Sequence, residues 1–302
     1  GIGDGSEDNP FGSIHNGVDA TREGDLIYVN EGFYEGGITL PHNLEIIALG
    51  RQHHTIIDGQ GIQRIFTFNA GIDTSMVIDG FILQNGYVEG DNGGAIACYS
   101  ASPTLQNLNI RGNEAISGGA IYLGSNSNPH LSFVAITGNE TNSISGKGGG
   151  IFVYNSHLTM VNVTIAGNDS PQGGGIYGSG SQIDLSNSIV WGNNGPQLKL
   201  DFGDFGDYSS YNITYSLIEG GQQGVEAEFL LAPVWEDNIA ADAIEIGENN
   251  LPILFIDQIS FEDAPTLSGN YHIHPDATAV LSAGYNGGDL GAYPFFDILG
   301  CM

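Results

Sequence analysis

Gly93-Gly94-Ala95-Ile96 is a four-residue phrase that returns three times in the middle of the chain. The later copies are Gly118-Gly119-Ala120-Ile121, Gly148-Gly149-Gly150-Ile151 and Gly173-Gly174-Gly175-Ile176. Successive isoleucines are 25, 30 and 25 residues apart. A period in the twenties predicts a solenoid, in which each coil buries its apolar side chains against its neighbours.

A Gly-Asn pair keeps nearly the same spacing and defines the columns of the repeat. Its asparagines are Asn113, Asn139, Asn168 and Asn193, and the residues three positions earlier are Ile110, Ile136, Ile165 and Val190. Apolar and polar residues alternate before each pair, and a period of two is typical of strands rather than helices. The sequence therefore predicts a parallel β-helix, with coils ~4.8 Å apart and sharp turns at Gly and Asn. Stacked asparagine amides would hydrogen-bond to one another along such a column.

The organisation along the chain predicts one continuous domain over residues 1–302. Residues 1–24 are expected to form an N-terminal cap, and residues 25–221 the regular coils. The repeat fades after Ile218, so residues 222–302 are predicted to be less regular C-terminal coils and a cap.

A short helix is predicted between Pro10 and Arg22. Phe11, Ile14 and Val18 fall on one helical face there, and the preceding Asp-Asn-Pro is a helix start signal. Because the end of a β-helix exposes strand edges, an amphipathic helix at this position is expected to cover them.

The composition excludes several classes of partner. The net charge is −29, and the six basic residues all precede residue 200. Such a chain repels phosphate backbones, so nucleic acid is excluded as a partner and an anionic membrane surface is disfavoured. No run approaches the ~20 apolar residues that span a bilayer, so membrane insertion is not expected. Two cysteines cannot build a disulfide framework, and Cys98 is predicted to be a core residue that does not pair with Cys301.

Segments outside the repeat carry a family resemblance. They are DGSEDNPF at 4–11, GDLIYV at 24–29, GFYE at 32–35, IDG at 57–59, DGFILQNG at 79–86, NYHI at 270–273 and DLGAY at 289–293. With the Gly-Gly-Ala-Ile and Gly-Asn repeats, they resemble secreted bacterial β-helix proteins of the pectate-lyase-like superfamily, including polymorphic outer-membrane and adhesin-like types. The resemblance implies a right-handed helix and a secreted, extracellular or cell-surface location. Gly300-Cys301-Met302 is similar to the start of a tail module that often precedes a type IX secretion sorting domain.

The residues that catalysis on this fold would need are not evident. A lyase must neutralise a uronate carboxylate and remove a proton with a basic residue, and the basic residues form no cluster in the sequence. A hydrolase would need a tight set of aspartates with a neighbouring histidine and a basic motif. We therefore predict that this chain has no catalytic site.

Two columns are the candidates for contact with sugars. The residues that follow the motif isoleucines are Ala97, Tyr122, Phe152 and Tyr177, and since the isoleucines point inward these are expected to form a flat aromatic strip outside. Before the leucines at 105, 131 and 158 stand Thr104, His130 and His157. The two histidines are predicted to be neighbours on successive coils. The alternative for both columns is stacking that only stiffens the solenoid.

Calcium is the ion that the acidic residues favour, although no cofactor is expected to be required. Asp201, Asp204 and Asp207 form the densest acidic cluster, in a Gly-rich stretch, and hard oxygen ligands on loops suit Ca²⁺. A solvated acidic insertion between two coils is the alternative.

These observations predict a noncatalytic extracellular or cell-surface module for adhesion, glycan contact or structural assembly. Extracellular polysaccharide, cell-surface components and further copies of the chain are the expected partners. Two alternatives stay open. One is a polysaccharide lyase or glycoside hydrolase that uses His130, His157 and a calcium loop, and the other is a subunit of an extracellular fibre.

Overall fold

The chain is a parallel β-helix in which three strands make up a typical coil. The computed structural model describes residues 3–50, 54–124, 126–204, 206–227, 233–243, 255–257, 264–266, 270–273 and 291. Within these ranges almost every strand pairs in parallel with the strands one coil before and one coil after it, which confirms the predicted fold.

The strands form three stacked columns, here called sheets one, two and three. Sheet one contains β1 (Leu26–Val29), β4 (Glu45–Ala48), β7 (Val77–Asp79), β10 (Thr104–Gln106), β14 (His130–Thr137), β17 (His157–Ala166), β19 (Gln182–Ser186), β22 (Ser210–Thr214) and β25 (Val234–Glu236). Sheet two contains β2 (Gly32–Glu35), β5 (Thr55–Asp58), β8 (Ile82–Gln84), β11 (Asn109–Arg111), the second halves of β14 and β17, β20 (Ile189–Trp191) and β23 (Leu217–Ile218). Sheet three contains β3 (Ile38–Leu40), β6 (Phe66–Phe68), β9 (Ile96–Cys98), β13 (Ile121–Leu123), β16 (Ile151–Tyr154), β18 (Ile176–Ser179), β21 (Leu198–Asp201) and β24 (Val225–Ala227).

A few short elements lie outside these sheets. They are β12 (Glu114–Ala115) and β15 (Glu140–Thr141), which pair with each other, the antiparallel pair β26 (Phe255–Asp257) and β27 (Asn270–Ile273), and two 3₁₀ turns at Gly221–Gly224 and Ala241–Ala243. Parallel pairing continues beyond residue 221, because β24 stacks on β21 and β25 stacks on β22.

The core runs along the axis and is built by the alternation seen in the sequence. The four motif isoleucines are fully buried and stack in register from β9 to β18. Cys98 lies in the neighbouring column of the core and is fully buried, which confirms that it is a core residue. Cys301 lies outside the described residues. No helix in the described part of the chain is long and apolar enough to cross a membrane.

Two successive glycines of the repeated phrase have different structural roles. The first takes a left-handed conformation, with φ of 61° at Gly118 and 66° at Gly148. The second has an ordinary φ but lies against the next coil, since a Cβ on Gly119 would be 2.4 Å from the carbonyl oxygen of Gly149. Glycine is therefore required once for backbone conformation and once for the close approach of two coils.

The four asparagines form a buried hydrogen-bonded ladder, as predicted. The Nδ2 of each of the first three donates to the Oδ1 of the asparagine on the next coil, at 2.9 Å from Asn113 to Asn139, 2.9 Å from Asn139 to Asn168 and 2.8 Å from Asn168 to Asn193. The preceding glycines, and not the asparagines, adopt positive φ. The turn and the ladder are thus provided by different members of the Gly-Asn pair.

A helix packs against the N-terminal end of the core at the expected position, but the edge of β1 beside it stays open. It is α1 (Ile14–Ala20), shorter than the Pro10 to Arg22 span of the prediction. It begins after Ser13, whose hydroxyl accepts a hydrogen bond from the Asn16 N–H at 3.2 Å, so the cap is this serine and not the earlier Asp-Asn-Pro. Ile14 and Val18 are buried.

Candidate functional site

An aromatic column lies on the outer side of sheet three. Parallel register places Ala97, Tyr122, Phe152, Tyr177 and Lys199 directly above one another on five successive strands. The stacking expected from the sequence is therefore present. The inward-facing isoleucines before them fix this orientation, because neighbouring residues of a strand point to opposite sides.

The rings do not form the flat, open strip that the sequence predicts. Tyr122 and Phe152 are tilted by 45° with ring centres 5.5 Å apart, and Phe152 and Tyr177 meet edge to face at 71° and 5.6 Å. Phe152 is only 8% exposed and Tyr177 only 2%. Tyr177 is covered because Lys147 Nζ lies 4.8 Å from its ring centre and its hydroxyl donates to Asp201. Of the predicted strip, Tyr122 keeps the most open ring.

A second pair of aromatic residues extends the face and was missed in the sequence. Tyr99 packs edge-on against Tyr122 at 5.9 Å, and Tyr154 packs against Phe152 at 6.3 Å. Each is partly exposed and stands two residues after a member of the first column. The sequence could have predicted these two tyrosines, because residues two apart in a strand lie on the same side of the sheet.

Cations concentrate on this face. Arg64, Lys147 and Lys199 lie here, which is half of the six basic residues of the chain. Arg64 pairs with Asp91 at 2.7 Å and Lys199 with Glu226 at 2.8 Å. Lys147 has no carboxylate within ion-pair distance among the described residues and lies over two rings instead. Cation–π contacts of this kind orient an ammonium group without neutralising it.

Asp91 is held ionised beside this face. Burial opposes its ionisation, but hydrogen bonds from Arg64, the Asn92 N–H and the Tyr99 hydroxyl outweigh burial and lower its pKa. The same surroundings raise the pKa of Tyr99 to about 12, chiefly through burial. Asp91 is therefore a structural acceptor and is poorly suited to take up a proton at neutral pH.

The two predicted histidines are not in register. His130 pairs with Thr159, because Leu131 stacks on Met160 and not on the leucine two residues earlier. His130 and His157 therefore lie on successive coils, as predicted, but they are offset by two residues along the strand. The register advances by 26 residues from Thr104 to His130 but by 29 from His130 to Thr159. His157 therefore falls two residues before the position that stacks on His130.

His157 has a carboxylate partner of its own. Its Nε2 lies 2.8 Å from Asp184 Oδ2 on β19, and both side chains are partly exposed. A carboxylate on one ring nitrogen fixes the tautomer and orientation of the imidazole.

The acidic cluster near residue 204 is engaged in hydrogen bonds to the aromatic face. Asp201 accepts the Tyr177 hydroxyl, and Asp204 accepts the Tyr154 hydroxyl at 2.6 Å. Asp207 closes the turn through its backbone carbonyl. Within the described ranges, no three His, Cys, Asp or Glu side chains form a group that could hold a metal ion. Calcium binding by the three aspartates stays a prediction.

A stack of carboxylates, not anticipated from the sequence, follows the asparagine ladder. Glu114, Glu140 and Asp169 pair in register on successive coils. Asn194 donates to Asp169 at 2.6 Å from the next coil. Burial, followed by the charges of Glu114 and Asp169, raises the pKa of Glu140 to about 7. Each of these acidic residues directly follows a ladder asparagine, so the asparagine spacing could have predicted that they stack.

Glu140→Gln is expected to stabilise the protein more at pH 8 than at pH 5. The folded state binds a proton at Glu140 up to a pKa of about 7, whereas the ordinary value is 4.5. Stability is therefore lost as pH rises through that window, by on the order of 1 kcal/mol after discounting for solvent screening. Urea unfolding at both pH values measures the difference, with exposed Glu45→Gln as the control. Equal changes at the two pH values would contradict the assignment.

Comparison with family models agrees with the fold. Residues 94–243 match a family model described as a right handed beta helix region. No curated protein matches significantly. Two similar solved structures are Escherichia coli YbhC and a deglycosylated pectin methylesterase from Aspergillus niger. The first is 14% identical over 96% of this chain and 82% of that one, with a TM-score of 0.40. The second is 14% identical over 76% and 90%, with a TM-score of 0.35.

Proposed function

We propose that this right-handed β-helix is a noncatalytic extracellular module that contacts polysaccharide through the aromatic face of sheet three. The observation that carries the proposal is the set of partly exposed rings Tyr99, Tyr122 and Tyr154, which pack on one another through Phe152. The Lys147 ammonium lies beside them, over the ring of Phe152. Sugar rings stack on aromatic faces through their C–H groups, and tyrosine adds a hydroxyl that hydrogen-bonds. Because the three rings belong to successive coils, they lie along the axis of the solenoid, where an extended chain of sugars would lie.

The carboxylates of this face favour binding over turnover. Glycoside hydrolysis uses two carboxylates on either side of the scissile bond, one of them protonated. Here Asp91 is held by Arg64 and Tyr99, and Asp201 and Asp204 each accept a tyrosine hydroxyl. These bonds fix the rings in place, which serves recognition.

Substitution of the open tyrosines is expected to weaken binding at least tenfold. Tyr122→Ala and Tyr154→Ala each remove a ring worth about 1 kcal/mol of stacking, so the double variant should lose about 2 kcal/mol. Titration of the chain with a panel of neutral and acidic polysaccharides measures the loss. Tyr28→Ala is the matched control, because Tyr28 is 59% exposed on sheet one. Tyr177 is unsuitable for this test because it is buried.

Unchanged binding in the double variant, or an equal loss in Tyr28→Ala, would contradict the proposal. Thermal unfolding of each variant confirms that the coils remain intact.

The alternative is a polysaccharide lyase or hydrolase, and the observation in its favour is the oriented pair of His157 and Asp184. A histidine held in this way is a competent general base. Incubation with the same polysaccharides and measurement of new reducing or unsaturated ends separates the two functions. We expect no such ends. If such ends appear, and if they are absent with the His157→Ala variant, the protein is an enzyme and not a noncatalytic binding module.

A further inference from the structure

Strand β1 is an open edge at the N-terminal end of sheet one. Among the described strands it pairs with β4 only, along its whole length. At the two ends of this pairing, the Asp25 carbonyl accepts from the Glu45 N–H at 3.0 Å and the Val29 carbonyl accepts from the Leu49 N–H at 2.7 Å. Hydrogen bonding alternates along a strand, so the N–H and C=O groups of Leu26 and Tyr28 point the other way. In the described part of the chain, sheet one has no strand on that side.

A groove runs along this edge. Its volume is about 740 Å³, within the usual range for binding sites. One wall is β1, and the other consists of the segment before α1 and the helix itself, including Pro10, Phe11 and Gly17. The cap helix thus covers the end of the core but leaves a slot between itself and β1.

The edge lacks the features that normally prevent pairing. Exposed edge strands usually carry a lysine, a proline or a bulge, whereas β1 reads Leu-Ile-Tyr-Val. Leu26 is 44% exposed, Tyr28 59%, and the adjoining Leu49 42%. Apolar side chains therefore flank a row of available backbone groups.

The negative charge around the groove favours a positively charged partner. Among the described residues, Asp4, Glu7 and Asp25 line it, and no Lys or Arg does. Hydrogen bonds from the Ser6 hydroxyl and N–H lower the pKa of Asp4, so it stays ionised. Opposite charge steers association and selects among partners.

We propose that β1 binds an extended segment of a partner protein as an additional strand, one in which Lys or Arg alternates with aliphatic residues. The backbone of this segment forms hydrogen bonds with the N–H and C=O groups of Leu26 and Tyr28. Its aliphatic side chains pack against the exposed apolar side chains of β1 and Leu49, and its basic side chains reach Asp4 and Glu7. This is strand addition at a sheet edge, with affinity from the main chain and specificity from alternate side chains.

The test uses a synthetic peptide of eight residues, acetylated and amidated, in which valine and lysine alternate. We expect binding that weakens with salt, and slower amide exchange at Leu26 and Tyr28. Tyr28→Pro should weaken binding at least tenfold, because proline removes an outward N–H and leaves the bonds to β4 intact. Phe33→Ala, at a residue that is 79% exposed on β2 and outside the groove, should have no effect.

Two further peptides make the result independent of any folding defect in the proline variant. Methylation of alternate backbone nitrogens should abolish binding to the unaltered protein, because the peptide can no longer complete the ladder. Replacement of lysine by glutamate should abolish it through charge repulsion. The proposal is overturned if the first peptide does not bind, if the glutamate or methylated peptide binds equally well, or if amide exchange at Leu26 and Tyr28 is unchanged. Concentration-dependent self-association that Tyr28→Pro abolishes, without peptide binding, would assign the edge to a second copy instead.

Discussion

Asn139→Ala is expected to destabilise the protein by about 3–6 kcal/mol. Asn139 is fully buried, and its Nδ2 donates to Asn168 Oδ1 at 2.9 Å and to the carbonyls of Ile110 and Thr137, each at 3.1 Å. Its Oδ1 accepts from the N–H and Nδ2 of Asn113, at 3.0 and 2.9 Å. Alanine leaves several of these groups without a partner in the core, at about 1–3 kcal/mol each.

Urea unfolding followed by circular dichroism measures this loss. Asn142→Ala is the matched control, because Asn142 is exposed and its backbone N–H bond to the Ala115 carbonyl, at 2.9 Å, survives the substitution. Asn139→Asp should be at least as harmful as alanine, since a carboxylate would face the carbonyls that the amide now donates to. If Asn139→Ala and Asn142→Ala lowered the free energy of unfolding equally, the side-chain hydrogen bonds of the ladder would make no measurable contribution to stability.

Gly119→Ala is expected to be the most harmful of three glycine substitutions, at about 3 kcal/mol or more. A Cβ there would lie 2.4 Å from the carbonyl oxygens of both Glu140 and Gly149. Both contacts are backbone atoms of the neighbouring coil, so no flexible side chain can move aside and the coils must separate.

Substitutions at two other glycines distinguish the cost of steric crowding from the cost of backbone strain. Gly12 has open space around it and an ordinary φ, so Gly12→Ala should be close to neutral. Gly61 also has open space but a φ of +69°, so Gly61→Ala should cost only the strain of a left-handed residue, about 1–2 kcal/mol. Chemical unfolding of the three variants gives the order directly. A Gly119→Ala protein no less stable than Gly61→Ala would show that the coils can separate freely.

The fold could be predicted because the repeat constrains the backbone at every coil. The spacing of the asparagines and the alternation around them specify strands, register and ladder together. The cap helix was placed correctly, but its start was not, because Ser13 competes with the earlier Asp-Asn-Pro as a capping residue and wins by bonding Asn16.

The candidate site was only partly predictable because it depends on details between the repeats. The interval of 29 from Asn139 to Asn168 carries Leu131 onto Met160, so this spacing, applied strictly, would have placed the histidines correctly. The tilt of the rings and the burial of Tyr177 could not be predicted. They accompany contacts that the repeat does not specify, since Lys147 lies over the Tyr177 ring, the Tyr177 hydroxyl donates to Asp201 and the Tyr154 hydroxyl donates to Asp204.

The asparagine ladder also has a direction. Every ladder bond runs from an Nδ2 to the Oδ1 on its C-terminal side, so the amide dipoles add along the axis as peptide dipoles do in a helix. The last amide, that of Asn193, donates to Gln197 Oε1 at 2.7 Å, and Gln197 donates in turn to the carboxylate of Glu219 at 2.9 Å. A negative charge therefore terminates the positive end of the row. Because aligned hydrogen bonds polarise one another, we expect Glu219 to strengthen the amide contacts at this end of the row.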